Sequence, residues 1–192
     1  DIEFKFPFGF KELEGIHSRT DFDLSQHQEF SGKKLQYFDN ELNESYTPCV
    51  VETSIGLDRM FLAIFSNSLV NEELDNNTSR VVLKLPIFLA PYKAAILPLV
   101  KKDGLSELSR EIYNKLRLSL NITFDEKDAV GRRYRRQDAI GTPFCITVDH
   151  QSKEDNSVTV RNRDSMFQER IPIIELEKYL LDRVSFKSHI NK

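Results

Sequence analysis

With 192 residues, 40% of them apolar and 30% charged, the chain is long enough for one large or two small domains and too rich in core-forming residues to stay disordered. Its longest apolar run, 87–100, is interrupted by Pro91, Lys93 and Pro98, which excludes a bilayer-spanning helix there, and no basic-then-apolar leader opens the sequence. The net charge of −3 hides an asymmetry. Residues 1–90 hold eight Lys+Arg against fifteen Asp+Glu, whereas residues 91–192 hold nineteen against fifteen, which points to two units, the second suited to a polyanion.

The chain opens without Met inside the strand-like Ile2–Phe6, which reads as a fragment boundary. The first forty residues alternate strand-like patches and polar loops. Thr20-Asp21 supplies an N-cap for a short helix over 20–28. The segment 46–51 reads as a short strand running into Ser54-Ile55-Gly56. A helical pattern follows from Leu57 to about Leu69, apolar on most faces and so expected to be buried. The polar, turn-rich 71–79 reads as the linker.

Downstream, strands and helices alternate. Strands are expected at 94–99, 122–124 and 144–148. One helix starts from Ser106 as N-cap and carries Leu108, Ile112 and Leu116. A second, over 128–140, ends at Gly141. A polar loop at 149–156 leads to a hairpin partner at 158–161, and a last helix covers 172–184. Strand–helix–strand–helix–strand implies right-handed crossovers and a parallel core, to which the hairpin adds antiparallel pairing.

Cys49 and Cys145 are far apart, with no second Cys or His at metal-ligand spacing, and read as reduced thiols of a cytosolic protein; no metal ligands are expected. His17, His27, His150 and His189 are scattered and read as surface or structural. The segment Glu52-Thr53-Ser54-Ile55-Gly56-Leu57-Asp58-Arg59 brings a carboxylate and a hydroxyl to a strand end, a glycine to a turn and an Arg to a helix start. A carboxylate can hold an ammonium group, and Arg is the preferred bidentate partner of phosphate. A buried Arg–Glu pair at a helix start explains the same residues. Arg132-Arg133-Tyr134-Arg135-Arg136 offers phosphate contacts around an aromatic ring, or alternatively a solvated helix face with i,i+4 pairs.

Three segments resemble the bacterial glycyl-tRNA synthetases of class II. Glu52–Arg59 is similar to motif 3, with Glu-Thr-Ser where many relatives have Glu-Pro-Ser. The stretch Lys11-Glu12-Leu13-Glu14-Gly15…Arg19-Thr20-Asp21-Phe22-Asp23-Leu24 resembles their Glu-Leu-Glu-Gly…Arg-Thr-Asp-Tyr-Asp-Leu, with Phe10 where relatives usually have Trp. Arg132–Phe144, with 89–93 and 159–164, resembles the anticodon-binding domain shared by glycyl, histidyl, threonyl and prolyl enzymes.

The resemblance implies a catalytic segment of antiparallel strands plus the motif 3 helix over residues 1–75. A three-layer α/β anticodon-binding domain with a mixed five-stranded sheet would follow over 81–192. It implies ATP-dependent activation of glycine and transfer to tRNA(Gly), with Mg²⁺, by a cytoplasmic homodimer. Arg59 and Glu52 would be catalytic. ATP would lie at Glu12, Leu13, Gly56, Leu57, Asp58 and Arg59, and glycine at Glu52, Thr53, Ser54, Ile55 and Gly56. Arg133, Arg136 and Arg163 are the candidates for tRNA contact. Motifs 1 and 2 of the family are not in this sequence and would lie upstream, so the isolated chain is expected not to activate glycine. A non-catalytic accessory protein reusing both domains, like the accessory subunit of mitochondrial DNA polymerase, would be expected to lose Glu52, Ser54 and Arg59. A free-standing RNA-binding module would leave residues 1–70 unexplained.

Overall fold

The chain divides between Ser66 and Asn67, inside the apolar helix rather than in the polar segment expected as a linker. The computed structural model describes residues 1–74 and 78–190; the Asp75–Asn77 part of that linker and the His189 side chain lie outside them.

In the first unit, strands β1 (Ile2–Phe6) and β2 (Gly9–Thr20) pair antiparallel. Gly9 sits between them at φ 104, a backbone conformation that favours glycine. Helix α1 (Phe22–Ser31) begins two residues after Thr20, with Asp21 as N-cap, and ends at Gly32 in the left-handed region. A small hairpin of β3 (Tyr37–Asp39) and β4 (Glu44–Tyr46) follows. Strand β5 (Val50–Ile55) then returns to β2, giving the sheet order β1-β2-β5. Helix α2 (Leu57–Ser68) matches the expected span. Its expected burial is not observed: Leu57 is 82% and Phe61 66% exposed, and only Ala63 and Ser68 are buried. Its outward aromatic rings, Phe61 and Phe65, stack on each other instead.

In the second unit, most of the presumed linker is sheet. Strand β6 (Leu69–Leu74) pairs antiparallel with β7 (Thr78–Leu83). After a single 3-10 turn at Ile87–Leu89 come β8 (Ala94–Pro98), α3 (Leu105–Leu116), β9 (Ile122–Phe124), α4 (Val130–Ala139) and β10 (Phe144–Val148). The short α5 (Ser152–Asp155), β11 (Ser157–Asn162), β12 (Gln168–Pro172), α6 (Ile173–Val184) and α7 (Lys187–Ile190) complete it. The sheet order is β12-β11-β10-β8-β9; β9, β8 and β10 run parallel, and β11 and β12 are antiparallel additions.

Side chains alternate across the strands. Ala94, Ile96, Phe144, Ile146, Val148, Val158 and Val160 pack with Leu105, Ile112 and Leu116 of α3 and Leu176, Leu180 and Val184 of α6. Ala95, Leu97 and Cys145 face Tyr134 of α4 on the other side, so the domain has three layers. The N-cap of α3 is Gly104 (φ 76), not Ser106, whose Oγ donates to Glu126 at 2.6 Å. Gly141 closes α4 as expected, at φ 84, where an added Cβ would lie 3.0 Å from the Leu83 carbonyl oxygen.

Candidate functional site

Register fixes which residues share a face of the first sheet. Gly15 lies opposite Ser54 and His17 opposite Glu52. Glu52 and Ser54, two apart on β5, therefore point to one face with Gly15 and His17, while Thr53 and Ile55 take the other; Glu12 and Leu13 lie where the β1–β2 register shifts, so alternation does not carry to them. The candidate glycine-binding residues thus split: Glu52 and Ser54 are together, and Thr53 and Ile55 are not with them. The Glu52 carboxylate has Arg19 Nε at 3.7 Å, but Arg19 is held closer by Asp23, at 2.7 Å. That contact keeps the Asp23 carboxyl below its usual range.

Arg59 follows at the start of α2. Its Nη1 donates to the Glu12 carbonyl at 2.5 Å, tying motif 3 to β2 through backbone. Among the described residues it forms no ion pair, so its charge stays available, and the alternative of a buried Arg–Glu pair at this helix start does not hold. Gly56 does not have a left-handed backbone, and an added Cβ would meet only the Arg59 side chain at ordinary distances of 3.7–3.9 Å. The fold of this chain alone therefore does not require glycine there. Leu57 and Asp58 are exposed beside it. One position that the motif pattern passed over is Gly15: a Cβ there would come 2.4 Å from His17 Nε2, because the imidazole leans over the space the glycine leaves.

In the second unit the arginines sort by partner. Arg133 is 2% exposed; it donates to the carbonyls of Pro98 (2.6 Å), Asp125 (3.2 Å) and Leu99 (3.2 Å), tying the ends of β8 and β9 together. Burial lowers its pKa, and its Nε finds no acceptor. Arg163 is also 2% exposed and donates to the carbonyls of Leu83, Gly141 and Leu85. Both were candidates for tRNA contact; the structure corrects this, since a guanidinium spent on buried carbonyls presents no donors to a phosphate.

Arg136 is half-exposed but clamped, donating to Asp125 Oδ2 (2.8 Å), Asp128 Oδ2 (2.8 Å) and the Lys127 carbonyl (2.6 Å). Its hydrogen bond holds the Asp128 carboxyl below the usual range. Tyr134, taken as a stacking ring, is half-buried and hydrogen-bonded to Thr147 at 2.6 Å, with Arg161 over its face. Of the four arginines in this helix, only Arg132 donates no side-chain hydrogen bond among the described residues.

Open parallel sheets bind ligands at the carboxyl ends of their strands, where successive crossovers leave for opposite faces. Here those ends carry the loops after β8, β9 and β10. Their carboxylates are largely neutralised within the fold: Asp125 and Asp128 by Arg136, Asp149 and Asp155 by Arg170, Glu126 by Arg110 and Ser106. Lys101, Lys102 and Lys127 are exposed and form no ion pair among the described residues. The edge therefore offers exposed cationic groups at Lys101, Lys102 and Lys127, residues that the Arg-rich motif did not include.

Residues 93–183 match the family described as the anticodon binding domain. The fold resembles the RNA binding domain of threonyl-tRNA synthetase from Cryptosporidium parvum Iowa II, with a TM-score of 0.67 over 94% of this chain and 42% of that one, at 18% identity. The second unit thus carries an anticodon-binding α/β domain. Over 97% of its length the chain is 53% identical to a glycine–tRNA ligase of Clostridium tetani, and over 96% it is 50% identical to one from Chlorobaculum tepidum. In these likenesses the chain resembles the C-terminal, anticodon-binding part of glycyl-tRNA synthetases. The chain spans 40% and 39% of the length of those two relatives.

Proposed function

We propose that this chain supplies motif 3 and the anticodon-binding domain to a cytoplasmic, homodimeric enzyme that activates glycine with ATP and transfers it to tRNA(Gly). The observation that carries the reading is the set Glu52, Ser54 and Arg59: a carboxylate and a hydroxyl on one sheet face, and, at the start of the following helix, a guanidinium bonded to the Glu12 carbonyl and free of ion pairs among the described residues. Glu52 would hold the ammonium group of glycine and Ser54 would orient it. Arg59 would neutralise phosphate charge as the glycine carboxylate attacks the α-phosphate, the α–β phosphoanhydride bond breaks and pyrophosphate leaves, giving glycyl-adenylate. Phosphoryl-type transfer of this kind depends on positioning and neutralisation more than on covalent chemistry by the protein. Gly15, opposite Ser54, gives the His17 imidazole room to lie over that face, and a ring there would leave little space for a substrate side chain. No three His, Cys, Asp or Glu side chains converge among the described residues; Mg²⁺ ordinarily needs only one or two carboxylates besides the substrate phosphates, and would add to the neutralisation of phosphate charge. The intact constellation favours this reading over a non-catalytic accessory protein.

Glycine-dependent ATP–pyrophosphate exchange tests the catalytic part. The full-length enzyme should show exchange, and Arg59→Ala should lower it by about a hundredfold or more, on the order of the loss of one preorganised charge contact. Unchanged exchange would remove Arg59 from the site. For the RNA part, Lys127→Ala should weaken tRNA(Gly) binding and reduce the salt slope by about one unit. Arg133→Ala should cost stability instead. A chain that binds unrelated tRNA equally well would be a general RNA binder.

A further inference from the structure

One feature not used above is a pocket of about 460 Å³ in the second unit, lined by residues at the β11–β12 turn and by α6. It lies at the amino end of β10, the opposite end of the sheet from the lysine-bearing loops. Its floor is apolar, made by Ile87, Phe144 and Val160. Its rim is not. Phe167, in the lining, is 64% exposed, so its ring is largely open to solvent. Across from it, the Arg183 guanidinium lies 3.6 Å from the Tyr179 ring centroid, so its outer plane is presented as a flat surface.

Two hydrogen-bonding groups in the lining have defined polarity. Asn162 Oδ1 accepts from the backbone N–H of Asp164 (2.9 Å) and Ser165 (3.0 Å) and from Ser165 Oγ (3.2 Å). That turn fixes the orientation of the amide and leaves Nδ2 as a donor with no partner among the described residues. Glu169 Oε1 accepts from Tyr179 Oη at 2.5 Å, leaving Oε2 as an acceptor. Burial and this bond push the Tyr179 hydroxyl up to about 12, so the phenol stays a donor to Glu169 at neutral pH. The pocket thus combines two flat surfaces, an apolar floor, one fixed donor and one fixed acceptor. With Glu169 and Asp182 against Arg183, its lining is not cationic and does not suit a phosphate.

Resting on the RNA-binding reading above, we infer that this pocket seats one unstacked nucleobase of the bound RNA. The base would stack between Phe167 and the Arg183 plane, and its edge would be read by Asn162 Nδ2 and Glu169. Flat aromatic and guanidinium surfaces capture splayed-out bases this way, while phosphates are held elsewhere.

The test uses the full chain and a tRNA(Gly) anticodon stem–loop, with 2-aminopurine replacing each unpaired loop nucleotide in turn. Phe167→Leu keeps apolar bulk at an exposed site but removes the ring, and Phe167→Tyr restores one. The expected result is a fluorescence change at one loop position with wild type and Phe167→Tyr, absent with Phe167→Leu. Affinity should fall by about tenfold in Phe167→Leu, the scale of one base–aromatic stack. The salt slope should not change, since no phosphate contact is lost. Wild-type affinity and fluorescence in Phe167→Leu, with RNA binding otherwise intact, overturns the pocket assignment alone. Absence of any stem–loop binding by the wild-type chain overturns both it and the reading on which it rests.

Discussion

Replacing Asp138 with Ala tests the view that the arginines of this domain are mainly architecture. Asp138 is fully buried and accepts from Arg80 Nη1 at 2.9 Å and from Arg161 Nη1 and Nη2 at 2.8 and 3.0 Å. The Arg80 and Arg161 side chains are only 1% and 7% exposed, so neither can turn to water. Arg80 keeps Glu72, at 2.5 Å, but Arg161 retains no carboxylate among the described residues, only weaker contacts with the Cys145 thiol and the Tyr134 ring, 4.9 Å away. Breaking one side of a buried ion pair costs about 3–5 kcal/mol, because a charge is left without compensation. Taking about 4 kcal/mol, and an unfolding entropy for a domain of this size, the melting temperature should fall by about 15 °C. That is a large part of the total stability of a typical domain. Thermal and urea unfolding followed by circular dichroism would measure it. Exchanging Asp138, Arg80 and Arg161 together for apolar residues of similar volume should cost less than the single Ala change, since no orphan charge remains. A loss under about 1 kcal/mol for Asp138→Ala would refute the argument and mean that the guanidiniums are solvated.

Glu72 gives a pH prediction. Lys84, and then Arg80, hold its carboxyl below the usual range. A depressed carboxyl stabilises the fold above its unfolded pKa and loses that contribution as pH falls through the folded value. Glu72→Gln should therefore be less stable than wild type at pH 7, with the gap closing below about pH 4; a gap that persists at pH 2 would point to shape rather than charge. Gly141→Ala places a Cβ on a φ of 84 and 3.0 Å from the Leu83 carbonyl, and urea unfolding should show a loss of about 1–2 kcal/mol or more. Thiol titration at pH 8 should label exposed Cys49 in the native protein but reach Cys145 only in denaturant, because burial pushes that thiol up to about 12. Two thiols reacting natively would contradict the packing of β10 against α4.

The strand and helix order of the second unit was legible because period and punctuation agree there. Apolar runs at 94–99 and 144–148 are strands buried on both faces, and Gly141 ends a helix as glycine usually does. The β6–β7 hairpin was missed because Asn71, Glu72 and Glu73 look like loop residues. They belong to a two-stranded ribbon whose charges are satisfied by Arg80 and Lys84, a partnership that local pattern cannot show. Strand β12 was also given no residues, since Gln168–Pro172 has little alternation and is fixed by pairing with β11. Burial of α2 was over-read: apolar content says that a face can be covered, not that this chain covers it. In the first unit, Glu52 and Ser54 share a sheet face while Thr53 and Ile55 take the other, a split that the strand period alone was enough to foresee.

The arginine helix α4 shows why charge counts mislead most where they look most informative. Its ten residues, Val-Gly-Arg-Arg-Tyr-Arg-Arg-Gln-Asp-Ala, contain no apolar stripe, yet the helix covers one whole face of a buried sheet. A helix in that position must turn polar residues inward. Positions 133, 134, 137 and 138 fall on one side at helical spacing. Arg133, Gln137 and Asp138 are buried there, each holding backbone or side-chain partners across the layer. Arg132 and Arg136 fall on the solvent side, and of these Arg136 is taken by the loop carboxylates. The basic balance of the second half is real, but most of its arginines are paired internally. The charge left over for a polyanion is carried mainly by loop lysines, which no Arg-rich motif announces.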